Sequence, residues 1–135
     1  MFIVGKTYTK RDIYEVLNVP YNRRRGAWDT GYREYEGDIF IFANVGIAGR
    51  TGHNYNNYWD ADLFEWEAKL HSDLNQPLIK MMLEPKRDQS NYLFTRINNK
   101  DPFTYEGKVA VKEYRNTKPV QIVWELIEDA YDVLG

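Results

Sequence analysis

Residues 38–45, DIFIFANV, are apolar on both alternating sets of positions. A strand with one wet face alternates polar with apolar, so this one is covered on two sides, as in a barrel or a sandwich. It runs straight into residues 49–59, GRTGHNYNNYW, where glycines free the backbone and asparagines suit turns, so a loop follows. Loops generally lie at the surface. Three aromatic rings in such a loop either fold back as a plug or present flat faces to a ligand.

Working outward, Thr9-Lys10-Arg11-Asp12 has the spacing of a capping box, and Ile13, Val16 and Leu17 recur at helical spacing. This predicts a helix over about 9–18, ended by Asn18 and Pro20. The polar connector YNRRRGAWDTGY leads to the central strand. Downstream, residues 62–66 (DLFEW) read as a short strand, and Pro77 opens a helix whose stripe is Leu78, Ile79, Met82 and Leu83 before Pro85 stops it. Residues 92–96, 105–113 and 120–126 alternate as strands, separated by turns at 98–102 and 116–119. The expected fold is α+β: about five strands curled into a small β-barrel with two helices packed outside, in a single domain over 1–135.

The chain has 135 residues, no cysteine, and a net charge of -2. Disulfides, thiolate nucleophiles and Cys-based zinc sites are thereby excluded. No run approaches the roughly 18 apolar residues that span a bilayer, so a cytoplasmic protein with no membrane partner is expected. Charge is unevenly spread. Residues 20–33 carry Arg23, Arg24, Arg25 and Arg33 against Asp29, whereas residues 121–135 carry Glu125, Glu128, Asp129 and Asp132 with no Lys or Arg. One face can therefore meet phosphates while another stays acidic.

Several motifs imitate catalytic ones. Residues 44–51, NVGIAGRT, resemble a phosphate-binding loop, but Asn44 replaces its first glycine, Arg50 its lysine, and no helix follows. Anion contact by consecutive backbone amides survives that failure. Glu67-Ala68-Lys69 matches the E-x-K end of metal-dependent nucleases, with Asp38, Asp60 or Asp62 as the further acid. His53 and His71 are too isolated for a metal site, and neither Ser72 nor Ser90 sits in a nucleophile elbow. No catalytic site, metal or cofactor is assigned.

The rings remain. Trp28, Tyr32, Tyr55, Tyr58, Trp59 and Trp66 lie on or beside the connectors that flank the central strand, close to Asn54, Asn57, Asp60, Asp62 and Ser72. Rings can fill a core, or they can stack a planar base whose edge short polar groups read. A carboxylate accepts from an exocyclic amino group, and an amide both donates and accepts. With arginines nearby, this set has what recognition of an extruded nucleotide requires.

From Thr30 to Gly107 the order of features resembles the SRA-like and EVE-like modules of the PUA-like superfamily. The shared features are a Thr-Gly-Tyr segment, IFIFANV, a glycine-rich turn ending in His-Asn-Tyr, F-x-W, a helix near Pro77 and a strand ending in F-T-R. The resemblance implies a small β-barrel that binds DNA, often flipping a modified base, in restriction systems. It puts Tyr58-Trp59-Asp60 and Phe64-Glu65-Trp66 where such modules place pocket rings and an acidic reader, and with the rings and polar groups above, the expected base pocket is Tyr55, Asn57, Tyr58, Trp59, Asp60, Asp62, Trp66 and Ser72. Phosphate contacts would come from Arg23, Arg24, Arg25, Arg50, Thr51, His53 and Asn54, and the partner would be double-stranded DNA with a modified base. A nuclease or helicase would be a separate partner domain. The Tyr-Asp-Gly signature of eukaryote-like SRA domains is absent. The rival readings are a small nuclease using the E-x-K site and a protein-interaction module.

Overall fold

The computed structural model describes residues 1–45 and 57–127. Its first helix, α1 (Lys10–Leu17), starts as the sequence predicts: the Thr9 hydroxyl accepts from the Asp12 N–H, the Asp12 carboxylate accepts from the Thr9 N–H, and Asn18 closes the far end at φ 56°. Hydrogen bonding of its carboxylate by the Thr9 N–H, and by the Thr9 side chain, holds the Asp12 carboxyl below its usual range. Two 3-10 helices, Tyr21–Arg23 and Gly26–Asp29, fill the arginine-rich connector. The second α-helix, α2 (Pro77–Leu83), has its proline in the first turn, where a missing N–H costs nothing.

Eight strands follow the chain order β1 (Thr7–Tyr8), β2 (Tyr32–Tyr35), β3 (Asp38–Asn44), β4 (Tyr58–Asp60), β5 (Leu63–Glu67), β6 (Asn91–Arg96), β7 (Phe103–Arg115) and β8 (Gln121–Leu126). They form one mixed sheet in the order β2-β3-β6-β7-β8-β5-β4, with β1 paired to the start of β7. Among the described residues only β3 and β6 pair in parallel. The 13-residue β7 holds the sheet together, pairing β6 through its first half and β8 through its second. Register shifts between Leu93 and Phe94 and between Val111 and Glu113 bend it, and Gly107, facing Leu93, takes a φ of 127° that other residues avoid.

The bending curls the sheet until its two ends meet. The Tyr32 ring of β2 lies 5.4 Å from the Trp66 ring of β5, edge to face. Asn57 closes the seam: its amide donates to the Asn44 carbonyl at 3.1 Å and accepts from the Glu67 N–H at 3.0 Å. The expected closed barrel of about five strands is therefore corrected to an eight-stranded open sheet, whose end strands β2 and β4 are not paired to each other. Three strands were missed because two to four residues are too few to display alternation.

The two faces of β3 hold two cores, which is why DIFIFANV lacks a polar face. Ile39, Ile41 and Ala43 join Leu93, Phe64, Trp66, Val109, Ile122 and Trp124 within the curl, where Ile79 and Met82 of α2 also pack. Phe40 and Phe42 join Tyr92, Phe94, Phe103 and Tyr105 on the outer side, covered by Ile13 and Tyr14 of α1, by Trp28 and by Phe2. Only α1 thus lies over the outer face. The second helix completes the inner core.

Candidate nucleic-acid interface

A cleft of about 800 Å³ opens along the seam. Tyr32, Phe42, Ala43, Trp66, Ala68 and Phe103 supply its apolar walls, with Asn44 and Asn57 at the points where the chain leaves and re-enters the described residues. Such a volume falls within the usual range for small-ligand pockets, roughly 300–1,000 Å³. Its aromatic walls come from strands on both sides of the seam, so the curl of the sheet sets its width.

Three cations border the same cleft. Lys10, from the first residue of α1, donates through Nζ to the Trp28 carbonyl and sits 4.0 Å over the Phe42 ring. Burial, reinforced by the nearby Arg96 charge and opposed by Asp29, brings its pKa down to about 8. Arg96, at the end of β6, donates from Nε to Asn44 Oδ1 at 2.9 Å and lies 4.2 Å over Phe103. Lys69 donates to the Tyr32 carbonyl at 3.3 Å and lies 4.2 Å over the Tyr32 ring, with burial lowering its pKa. Asp29 and Glu67 also line the cleft, yet among the described residues no carboxylate comes within ion-pair distance of any of these three cations. Sequence reading missed Lys10 and Arg96 because each looks like an ordinary solvated end of a helix or strand. Strand β6 is buried continuously from Asn91 to Thr95, and an arginine placed directly after such a run is the signal that was there to be used.

The residues singled out from sequence separate into groups. Asn57 and Trp66 line the cleft. Tyr58 is half-exposed and, with Trp66, Glu65, Glu67, Arg115 and Gln121, borders a neighbouring recess of about 230 Å³. Trp59 packs on Phe64 at 4.7 Å, while Asp60 and Asp62 are exposed on the β4–β5 hairpin; none of the three borders the cleft. Ser72 is a correction to the base-pocket set, since its hydroxyl is buried and accepts the Val120 N–H at 3.0 Å. Trp28 is sealed in the outer core against Tyr14, Tyr35, Phe40 and Phe42.

Of the expected phosphate contacts, Arg23 and Arg25 are exposed. Arg24 is committed to structure: its Nε donates to the Val19 carbonyl at 2.8 Å and its guanidinium stacks 4.5 Å over Tyr21. Arg50, Thr51, His53, Asn54 and Tyr55 lie outside the described residues, as does most of the phosphate-loop-like stretch. Glu67 and Lys69 of the E-x-K motif both face the cleft, but Asp38 accepts the Ser90 N–H at 2.8 Å. Among the described residues no three His, Asp or Glu side chains converge on a cation site. No helix there is long and apolar enough to cross a membrane.

The fold is SRA-like. The chain is similar to the SUVH5 SRA domain crystallised with hemimethylated CG DNA, with a TM-score of 0.61 and 16% identity, over 93% of this chain and 89% of that one. Similar values hold for the SUVH5 SRA domain bound to fully hydroxymethylated CG DNA, with a TM-score of 0.58, 16% identity, and 93% and 89% coverage. The complex with methylated CHH DNA gives a TM-score of 0.56, 16% identity, and 93% and 88% coverage. No curated protein matches the chain. A family model described as "Domain of unknown function (DUF3427)" matches residues 2–132, and the chain belongs to that family.

Proposed function

We propose that this domain binds DNA and reads a modified base, taking the base into the cleft at the seam of the curled sheet. The observation that carries the reading is the cleft itself: two rings, Tyr32 and Trp66, brought from opposite sides of the seam beside three cations that among the described residues have no carboxylate within ion-pair distance. Stacking faces, amide groups and positive charge are the chemistry an extruded base and its backbone require. The likeness to SRA domains crystallised with methylated and hydroxymethylated DNA supports it, although at 16% identity that likeness speaks for the fold. In this reading the base lies against the wall to which the buried Tyr32 and Trp66 rings contribute, Asn44 and Asn57 face its edge, and Arg23, Arg25 and Arg50 hold phosphates. The finer proposal is base flipping in a cytoplasmic restriction or defence system whose nuclease or helicase lies in a partner domain.

The test is fluorescence anisotropy with duplexes carrying one methylated, one hydroxymethylated or one plain cytosine, at low and moderate salt. A variant that narrows the cleft without disturbing its frame is Gly31→Leu, because a Cβ there would meet only the Phe42 carbonyl, at 3.9 Å. Tighter binding to one modified duplex, lost in Gly31→Leu while weak binding to plain duplex persists, is expected. Equal binding to all three by both proteins would remove the cleft from the account, and no binding at low salt would remove DNA.

A further inference from the structure

Cations buried beside one another are costly unless something negative is close. Lys10 and Arg96 come from different elements, yet both lie against the Phe103 ring, 5.7 Å and 4.2 Å from its centroid. The Arg96 charge is near enough to weigh on Lys10. Among the described residues no carboxylate reaches ion-pair distance of either: Asp29 acts on Lys10 and Asp101 on Arg96 from farther off, and the close contacts are neutral, the Trp28 carbonyl for Lys10, the Asn44 amide oxygen for Arg96, and ring faces for both. Each bond also fixes its side chain, so the two charges are held in place at the edge of an open cleft. A pocket meant only for a methyl group and a neutral base has no use for this arrangement. A cleft of about 800 Å³ has room for more than a base.

We infer that the Lys10–Arg96 corner is an oxyanion site, which receives a phosphate or a carboxylate carried by the same nucleotide whose base occupies the cleft. The placement of the anion rests on the reading of the cleft as a base site; the oxyanion site itself does not. Arg96, with Nε engaged by Asn44, keeps its terminal nitrogens for two parallel bonds to an oxyanion, and Lys10 adds a point charge. Binding replaces a repulsion between two half-buried cations with two attractions. Lys69, on the Tyr32 side of the seam, is set apart by its own bond to the Tyr32 carbonyl and is not part of the corner.

The experiment titrates four small probes into the folded domain, following the Lys10 and Arg96 side-chain signals by NMR and heat by calorimetry. The probes are deoxycytidine, deoxycytidine 5′-monophosphate, 5-carboxydeoxycytidine and inorganic pyrophosphate. Each is repeated with Lys10→Met and Arg96→Gln, whose folding is checked by thermal unfolding, and with Arg96→Lys, which keeps the charge but loses the fork. One of the two anionic nucleosides should bind about tenfold or more tighter than deoxycytidine, with the gain lost in Lys10→Met and Arg96→Gln and partly kept in Arg96→Lys. A gain for the monophosphate identifies a phosphate, and a gain for the carboxynucleoside identifies a substituent on the base. Should no nucleoside bind while pyrophosphate still shifts both side chains, the oxyanion site stands and the base reading falls. If neither anionic nucleoside gains over deoxycytidine and pyrophosphate leaves both side chains unmoved, or if the gain survives both substitutions, the oxyanion site is overturned, whatever the duplex measurements show.

Discussion

Aromatic side chains crowd both faces of β3, and the two faces use them in opposite ways. On the outer face, Phe40 stacks on Tyr92 at 4.9 Å and Phe42 on Phe94 at 5.4 Å, with Trp28, fully buried, wedged across them. At the seam, the inner rings Tyr32 and Trp66 meet edge to face, and the cleft beside them also takes in the rim of the outer set, Phe42 and Phe103, over which two of its three bordering cations lie. Ring count does not separate a core from a site. The distinction lies in what completes the rings: other rings where the surface is sealed, and, where it is open, cations that among the described residues have no carboxylate within ion-pair distance.

The largest effect belongs to the sealed face. Trp28→Ala removes an indole packed among four rings and leaves a cavity, so it should cost about 3–5 kcal/mol in chemical denaturation. Among the described residues its buried indole N–H has no acceptor, so Trp28→Phe should cost markedly less. If Trp28→Ala left stability intact but abolished base preference, the contrast between the faces would break.

Next comes the seam. Asn57→Ala deletes both hydrogen bonds that tie β3 to β5 and strands the Asn44 carbonyl and the Glu67 N–H, a loss of roughly 2 kcal/mol. Asn57→Asp sharpens the test, since it keeps an acceptor for Glu67 and loses the donor to Asn44. Its cost should lie between those of wild type and Asn57→Ala, with the cleft-dependent preference for modified duplex falling in the same order.

Lys10 reverses the sign. A lysine whose folded pKa is lowered from 10.5 to about 8 opposes folding at neutral pH, because the unfolded chain holds that proton more tightly. The opposition is at most about 3 kcal/mol, and it fades as pH rises from about 8 towards 10.5. Lys10→Met should therefore be more stable than wild type below pH 8, by about 1–2 kcal/mol after the lost bond to Trp28 is counted. The gap should shrink through that window. A variant that melts lower than wild type at pH 7 would show that the charge is compensated after all, which would weaken the oxyanion site with it.

How much of this was legible beforehand depends on length and on distance along the chain. The caps of α1, the proline start of α2 and the long strands β3, β7 and β8 express themselves within about ten residues, where periodicity is readable. The short strands do not, and they convert a barrel into an open curl. Of the residues named from sequence, Asn57 and Trp66 line the cleft, whereas the Ser72 hydroxyl is taken up in the core. Its partner, the Val120 N–H, is 48 residues away, and no local pattern announces such a bond. Lys10 was missed for the same reason, since the rings that make it unusual, Phe42 and Phe103, are far along the chain, while Arg96 meets Phe103 across the short turn between β6 and β7.

The smallest effects sharpen the comparison within the arginine run, where three adjacent residues of one type divide between structure and surface. Arg23 and Arg25 are exposed, so Arg23→Ala and Arg25→Ala should change stability by less than about 0.5 kcal/mol. If each meets a phosphate, each should reduce the slope of log affinity against log salt by roughly 0.9, uniformly for plain and modified duplexes. Arg24→Ala should do the converse. It loses the bond to the Val19 carbonyl and the stack on Tyr21, costing about 1 kcal/mol of stability while leaving the salt slope unaltered. The run RRR carries no such division in its letters. The division comes from the 3-10 turn at Tyr21–Arg23, which aims the middle side chain back at the end of α1 and its neighbours outward. A salt slope that fell for Arg24→Ala and not for the other two would mean that the duplex lies against α1 instead of across the seam, and the assignment of the cleft to the bound base would have to move with it.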